Sequence, residues 1–178
     1  MDNQPKNPFQ HLYLLGLMGS GKSRLGKELA KKLMLPFIDL DRYIEEQEGK
    51  SINDIFQTEG EDDFRKLEHH YLMEVAALPA AVVSLGGGTP CFFDNMEIIK
   101  QTGRSLYLQT PTPILASRLA SGKTLRPLLG GKDEAAIRDF LAHQLLSREQ
   151  YYLQANLTVE NNGKLKVGDL VKIVGGNF

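Results

Sequence analysis

Residues 16–23 read Gly-Leu-Met-Gly-Ser-Gly-Lys-Ser and match the pattern G-x-x-x-x-G-K-[ST] at every fixed position. No other feature restricts the fold as much, because the pattern has physical meaning only between a strand and a helix. The flanks supply both. His11 to Leu15 (HLYLL) is a short apolar strand, and from Lys22 to Leu33 the apolar Leu25, Leu29, Ala30 and Leu33 recur at helical spacings. Glycines leave backbone N–H groups free to converge on phosphate oxygens. The helix N-terminus adds partial positive charge beneath them. Gly19, Ser20 and Gly21 therefore form a phosphate cradle, Lys22 is placed to reach β- and γ-phosphates, and the Ser23 hydroxyl to ligate Mg²⁺. The motif specifies a nucleoside triphosphate and leaves open what is done with it.

Beyond the turn, strands and helices alternate. Residues 36–40 (PFIDL) read as a strand, 41–78 as helix in pieces, 80–85 (AAVVSL) as a buried strand, and 94–102 as a helix. A strand over 104–108, helices over 112–119 and 133–154, a strand over 157–159 and a helix over 167–174 complete the chain. Within the helical stretch, Ser51 followed by Asp54 has the form of a capping box. Such alternation specifies a parallel sheet of five strands with helices on both faces, whose ligands bind at the carboxyl ends of the strands.

Composition narrows the class. The 178 residues suit one domain, with residues 1–10 as a loose tail. Lys plus Arg is 21 and Asp plus Glu is 22, so a general nucleic-acid binder, which carries a basic excess, is not expected. Any anion must be held by a local cluster of donors. With only Cys91 available, an internal disulfide is excluded and a reducing cytoplasm is expected. No apolar run approaches the ~20 residues of a membrane span, and the first ten residues lack the apolar core of a secretory leader. No membrane partner is expected, and near-neutral charge with a compact fold suggests a monomer.

Two further motifs fall after predicted strands. Asp39 and Asp41 flank Leu40 at the end of the second. In extended chain both carboxylates would share one side. One could support Mg²⁺ and the other accept a proton from an acceptor hydroxyl. Asp is also common at strand ends, and Asp41 could instead cap the next helix. Gly86-Gly87-Gly88 follows the third strand and fits a place where something approaches the backbone closely, or where positive φ is needed. Arg65, Arg126 and Arg148 are scattered in sequence. Each alone reads as a surface charge, whereas convergence would grip an acidic substrate and a transferring phosphoryl group.

Together these residues resemble the shikimate kinase family of small P-loop kinases. The resemblance runs from about Leu12 to Val174 and rests on GLMGSGKS, DLD at 39–41 and SINDIFQTEGEDDFRKLE at 51–68. It continues through SLGGGTP at 84–90, TLRPLL at 124–129 and SREQYY at 147–152. It implies an α/β fold like that of the nucleoside monophosphate kinases, a helical substrate-binding region over about 41–70 and a lid over about 121–132. The implied activity is transfer of the γ-phosphoryl of ATP to the 3-hydroxyl of shikimate, with Mg²⁺. The implied roles are Ser23 and Asp39 for the metal, and Asp41 for the shikimate hydroxyls and as base. Arg65 and Arg148, with Gly87 and Gly88 beside them, take the shikimate carboxylate. Lys22, Arg24, Arg118 and the lid arginine Arg126 lie towards ATP, and Asn161 and Asn162 fall in the adenine loop.

Two departures from the family pattern are visible, Arg24 where Thr is usual and Thr89-Pro90 where small apolar residues are common. Neither is implied in catalysis. Cys91 reads as a packed thiol, His69 and His70 as a surface pair, and Tyr151 and Tyr152 as packing residues. Two rival functions remain: a kinase for another acceptor, such as gluconate or a nucleoside monophosphate, and a nucleotide-binding module with no acceptor. Asp39, Asp41 and Arg65 speak against the second, since nucleotide binding alone does not need them.

Overall fold

The computed structural model describes residues 11–121 and 133–175. Strand β1 (His11–Leu15) is buried along its whole length. An apolar strand covered on both faces belongs in the middle of a parallel sheet, and β1 lies there. The order is β2-β3-β1-β4-β5, with β2 (Phe37–Asp39), β3 (Val82–Ser84), β4 (Gly103–Gln109) and β5 (Leu157–Glu160), all pairs parallel.

Alternate residues of β1 serve opposite faces. Leu12 and Leu14 pack with Leu25, Leu29 and Ala30 of α1 (Lys22–Leu33) and with Leu170 and Val174 of α8 (Val167–Gly175). Tyr13 and Leu15 face a second apolar cluster. Its helical contributors are α2 (Leu40–Glu48), α3 (Ile52–Thr58), α4 (Gly60–Ala76), α5 (Asn95–Thr102), α6 (Thr112–Ser121) and α7 (Glu134–Tyr152). The predicted two-faced sheet is borne out, strand for strand.

The predicted helical stretch 41–78 resolves into α2, α3 and α4. The Ser51–Asp54 box closes the N-terminus of α3: the Ser51 hydroxyl accepts from Asp54 N–H, and the Asp54 carboxylate accepts from Ser51 N–H. One expectation fails locally. The second strand does not stay extended to Asp41, because Leu40 already opens α2. Asp39 is the last strand residue and Asp41 lies in the first helical turn. The two carboxylates therefore reach one cleft across a strand-to-helix bend rather than along a strand. The predicted tail at 1–10, and Arg126 with nearly all of the predicted lid, lie outside the described residues.

Candidate active site

β1 lies between β3 and β4, so the loops that leave the carboxyl ends of these strands part around it and open a crevice, where parallel sheets bind ligands. A cavity of about 240 Å³ occupies that crevice. It is lined by Met18, Gly19, Gly21, Lys22, Ser23 and Arg24 of the phosphate turn and α1, and by Asp39 and Asp41. Ser84, Leu85, Gly86 and Gly87 complete it from the third strand and its loop. Motifs that follow three different strands thus meet in one place.

In the turn, Gly21 takes φ +94°, a left-handed conformation that L side chains rarely adopt. Lys22 is buried, and its Nζ donates to the carbonyls of Gly16 (2.7 Å) and Leu17 (3.0 Å). The Ser23 hydroxyl donates to Asp39 Oδ2 at 2.6 Å and lies 3.4 Å from Ser84 Oγ. Arg24 lies at the rim with its guanidinium on Glu28, 2.9 Å away and one turn along α1. Ser20 is buried, and its carbonyl accepts from the Asn161 side-chain amide at 2.8 Å. Asn161 Oδ1 in turn accepts from Gly163 N–H, so this asparagine braces the turn. Arg118 reaches back from α6 to the Gly19 carbonyl at 3.0 Å.

Asp41 is the most perturbed carboxyl of the cleft. Burial, then the negative charges of Glu68 and Asp39, push it up to about 6, and Lys22 opposes them only in part. It is poised to change protonation near neutral pH, as a general base must.

None of Gly86, Gly87 and Gly88 takes a positive φ, so close approach is the reason for the triplet. The approaching groups are the protein's own. A Cβ on Gly86 would stand 2.8 Å from both Asp41 Oδ1 and Glu68 Oε1. On Gly88 it would stand 2.6 Å from Arg65 Nη1, and on Gly87 3.4 Å from Arg148 Nη1. Both arginines are thereby brought to the glycine loop. Arg65 is buried over the Phe92 ring, 4.3 Å from its centroid, and paired at 2.9 Å with Glu68 and with Glu61. Burial works against its charge, but the two glutamates outweigh it and hold the guanidinium above its ordinary pKa.

Four residues of this region carried little or no signal in sequence. Glu68 is buried and accepts from both Arg65 and the Thr89 hydroxyl. Its spacing of three from Arg65 on one helix is a legible clue. Thr89 was visible only as a departure from the family pattern, and Asn161 only as part of a loop. Tyr152, one turn after Arg148 on α7, does pack in the core as expected, and its hydroxyl also donates to the Gly87 carbonyl. The expected His69/His70 surface pair divides. His70 is exposed beside Glu74, whereas His69 is half-buried, with Nδ1 2.7 Å from Asn95 Oδ1. The loop after β3 folds over that side of α4 and covers it.

A phosphate turn after the central strand of this sheet, with acidic and basic side chains gathered where an acceptor would lie, defines a small P-loop kinase. Comparison with known proteins narrows the class. The shikimate kinase family model matches residues 18–174, and the chain belongs to that family. It is 46% identical over 145 residues to the shikimate kinase of Bacteroides fragilis, covering 82% of this chain and 81% of that one. The crystal structure of shikimate kinase from Bacteroides thetaiotaomicron superposes with a TM-score of 0.89 at 39% identity, over 93% of this chain and 98% of the other. Shikimate kinase from Acinetobacter baumannii, solved in complex with shikimate, gives 0.84 at 34% identity over 96% of each.

Proposed function

We propose that the protein transfers the γ-phosphoryl group of ATP to the 3-hydroxyl of shikimate, giving shikimate 3-phosphate and ADP. The observation that supports this most is the meeting of Lys22, Ser23, Asp39 and Asp41 in one cavity whose glycine loop is contacted by Arg65 and Arg148. Backbone N–H groups of Gly19, Ser20 and Gly21 cradle the phosphates. Lys22 exchanges its loop carbonyls for β- and γ-phosphate oxygens. Arg118 lies beside the turn on the nucleotide side and Arg24 stays at the rim, and the family resemblance assigns Arg126 to ATP.

The residues present fit Mg²⁺. Ser23 and Asp39 offer a hydroxyl and a carboxylate side by side on the cavity wall. Among the described residues no cluster of three or more acidic, His or Cys side chains could form a full cage. That suits an ion that keeps most of its waters and takes the rest of its oxygens from phosphate. Bound there, it would neutralise charge on the β- and γ-phosphates.

Asp41 accepts the proton of the acceptor hydroxyl. The acceptor oxygen bonds to the γ-phosphorus as the bond to the β–γ bridging oxygen breaks, and ADP leaves with that electron pair. Arg148 and Arg65 hold the substrate carboxylate. Gly87 and Gly88 keep the space beside them open. One chain supplies all these groups, so the enzyme works as a monomer. No helix among the described residues is long and apolar enough to cross a membrane, and the cytoplasm is its proposed location.

ADP release measured with ATP and Mg²⁺ against shikimate, gluconate, AMP and no acceptor tests the proposal. Shikimate alone should stimulate release. Stimulation by gluconate or AMP and not by shikimate would replace it with another kinase activity. ATP binding with no acceptor response would make the chain a nucleotide-binding module.

A further inference from the structure

Thr89 stands in a 3₁₀ turn (Thr89–Cys91) directly after the glycine triplet and is fully buried. Its hydroxyl donates to Glu68 Oε1 at 2.5 Å, while Glu68 Oε2 accepts from Arg65 Nη1 at 2.9 Å. Its backbone carbonyl accepts from the Asn95 side-chain amide at 2.7 Å, and Asn95 Oδ1 meets His69 Nδ1. Asn95 is fully buried as well. Thr89 is therefore fixed through its carbonyl and uses its hydroxyl to fix Glu68. We infer that Thr89 is a positioning residue for acceptor binding, holding Glu68 in the rotamer that presents the Arg65 guanidinium to the substrate carboxylate. This rests on the proposed site for shikimate.

The geometry makes the hydroxyl consequential. Glu68 is buried, and among the described residues its carboxylate accepts from two side chains, Thr89 and Arg65. The titratable groups around it are Arg65 on its own helix, which Glu61 also holds, Asp41 from α2, and the Cys91 thiol from the 3₁₀ turn, which burial pushes up to about 11 and keeps neutral. Arg148 approaches the same loop from α7. A buried carboxylate that loses a donor must find another or take up a proton. Reorienting would pull the guanidinium away from Gly88, where the backbone was left bare to admit it.

Thr89→Val keeps the shape and deletes the hydroxyl, Thr89→Ser keeps the hydroxyl, and Thr89→Ala avoids any crowding should the valine variant fold poorly. Thr89→Val and Thr89→Ala should raise KM for shikimate about tenfold, with kcat and KM for ATP changed far less, and Thr89→Ser should restore the parent value. On an Arg65→Ala background Thr89→Val should add nothing further, because its effect passes through Arg65. A purely structural defect would instead add to that background and would alter KM for ATP as well. Parent-like KM in both the valine and alanine variants, failure of serine to rescue, or full additivity with Arg65→Ala would each overturn the inference. The Arg65 Nη1–H resonance of the parent and of the valine variant, recorded cold and without substrates, reports the Glu68 contact independently of the acceptor. Unchanged position and exchange rate in the variant would also overturn it. Absence of shikimate turnover in the parent would refute the proposed function alone and leave this resonance to decide the role of Thr89.

Discussion

Asp41 shows at the scale of one residue why a site can oppose the stability of its own fold. Its carboxyl is raised from 3.8 to about 6. A folded pKa above the unfolded one means that the folded state binds the proton more tightly. The stabilisation that follows is complete below pH 3.8 and is lost as pH rises through about 6. At neutral pH the ionised Asp41 thus costs the nucleotide-free fold on the order of 1–3 kcal/mol, the upper figure being trimmed because the side chain faces an open cleft. Asp41→Asn should raise the unfolding midpoint at pH 7.5 by a few degrees while cutting kcat with shikimate by about 10²-fold or more. Parallel melts and single-turnover assays check both halves, and a variant that turned over normally would remove Asp41 from the role of base. The parent's kcat/KM should climb with pH through about 6, as the base ionises. Arg148→Ala should raise KM for shikimate about 10- to 100-fold, the worth of one charge-assisted pair, with KM for ATP nearly constant.

At the scale of elements, local pattern located nearly every strand and helix, because periodicities of 2 and 3.6 are written into adjacent residues. The phosphate turn was legible for the same reason: Gly16 to Ser23 is one contiguous stretch whose environment is set by its own flanks. What local pattern could not hold is the pairing of α4 with the loop after β3. Glu68 and Thr89 are 21 positions apart, and Tyr152 and Gly87 are 65 apart. Nothing near either partner marks the other. The end of β2 was misjudged by one residue because Leu40 continues the apolar run of Phe37 and Ile38 across Asp39, although it already turns helical. Two glycines show how element context separates identical residues. Gly88→Ala should push Arg65 off its glutamates and raise KM for shikimate about tenfold, with ~1 kcal/mol lost in stability. Gly168→Ala, in the first turn of α8 with nothing within 4 Å of its added Cβ, should leave kinetics untouched and gain ~0.5–1 kcal/mol. Equal effects from the two would dismiss the crowding account of the triplet.

At the scale of the whole molecule, the sheet carries a second titrating group at the end opposite the cleft. His11 begins β1, fully buried, its ring 5.5 Å from that of Tyr13, and among the described residues neither Nδ1 nor Nε2 makes a well-formed hydrogen bond, the backbone of Ala76, Leu78 and Ala81 standing only nearby. Burial lowers its pKa below 6.5, and weak backbone contacts oppose this only in part. The sign is the reverse of that for Asp41. The folded state prefers neutral His11, so its contribution is complete above pH 6.5 and drains away as pH falls towards the depressed folded value. Between pH 8 and 5, protonation of Asp41 strengthens the fold while the demand to charge His11 weakens it, and the parent shows only the difference. Removing one group should expose the other. In urea titrations, Asp41→Asn should lose stability on acidification more steeply than the parent, at up to ~1.4 kcal/mol per pH unit where one proton is at stake. His11→Leu should become more stable, or lose less, over the same range. The double variant should be flatter than either, since the two sites lie at opposite ends of β1 and have no shared partner. Parallel curves for parent and His11→Leu would mean that the histidine finds solvent or a partner when charged, and acid sensitivity would then have to come from carboxylates elsewhere in the chain.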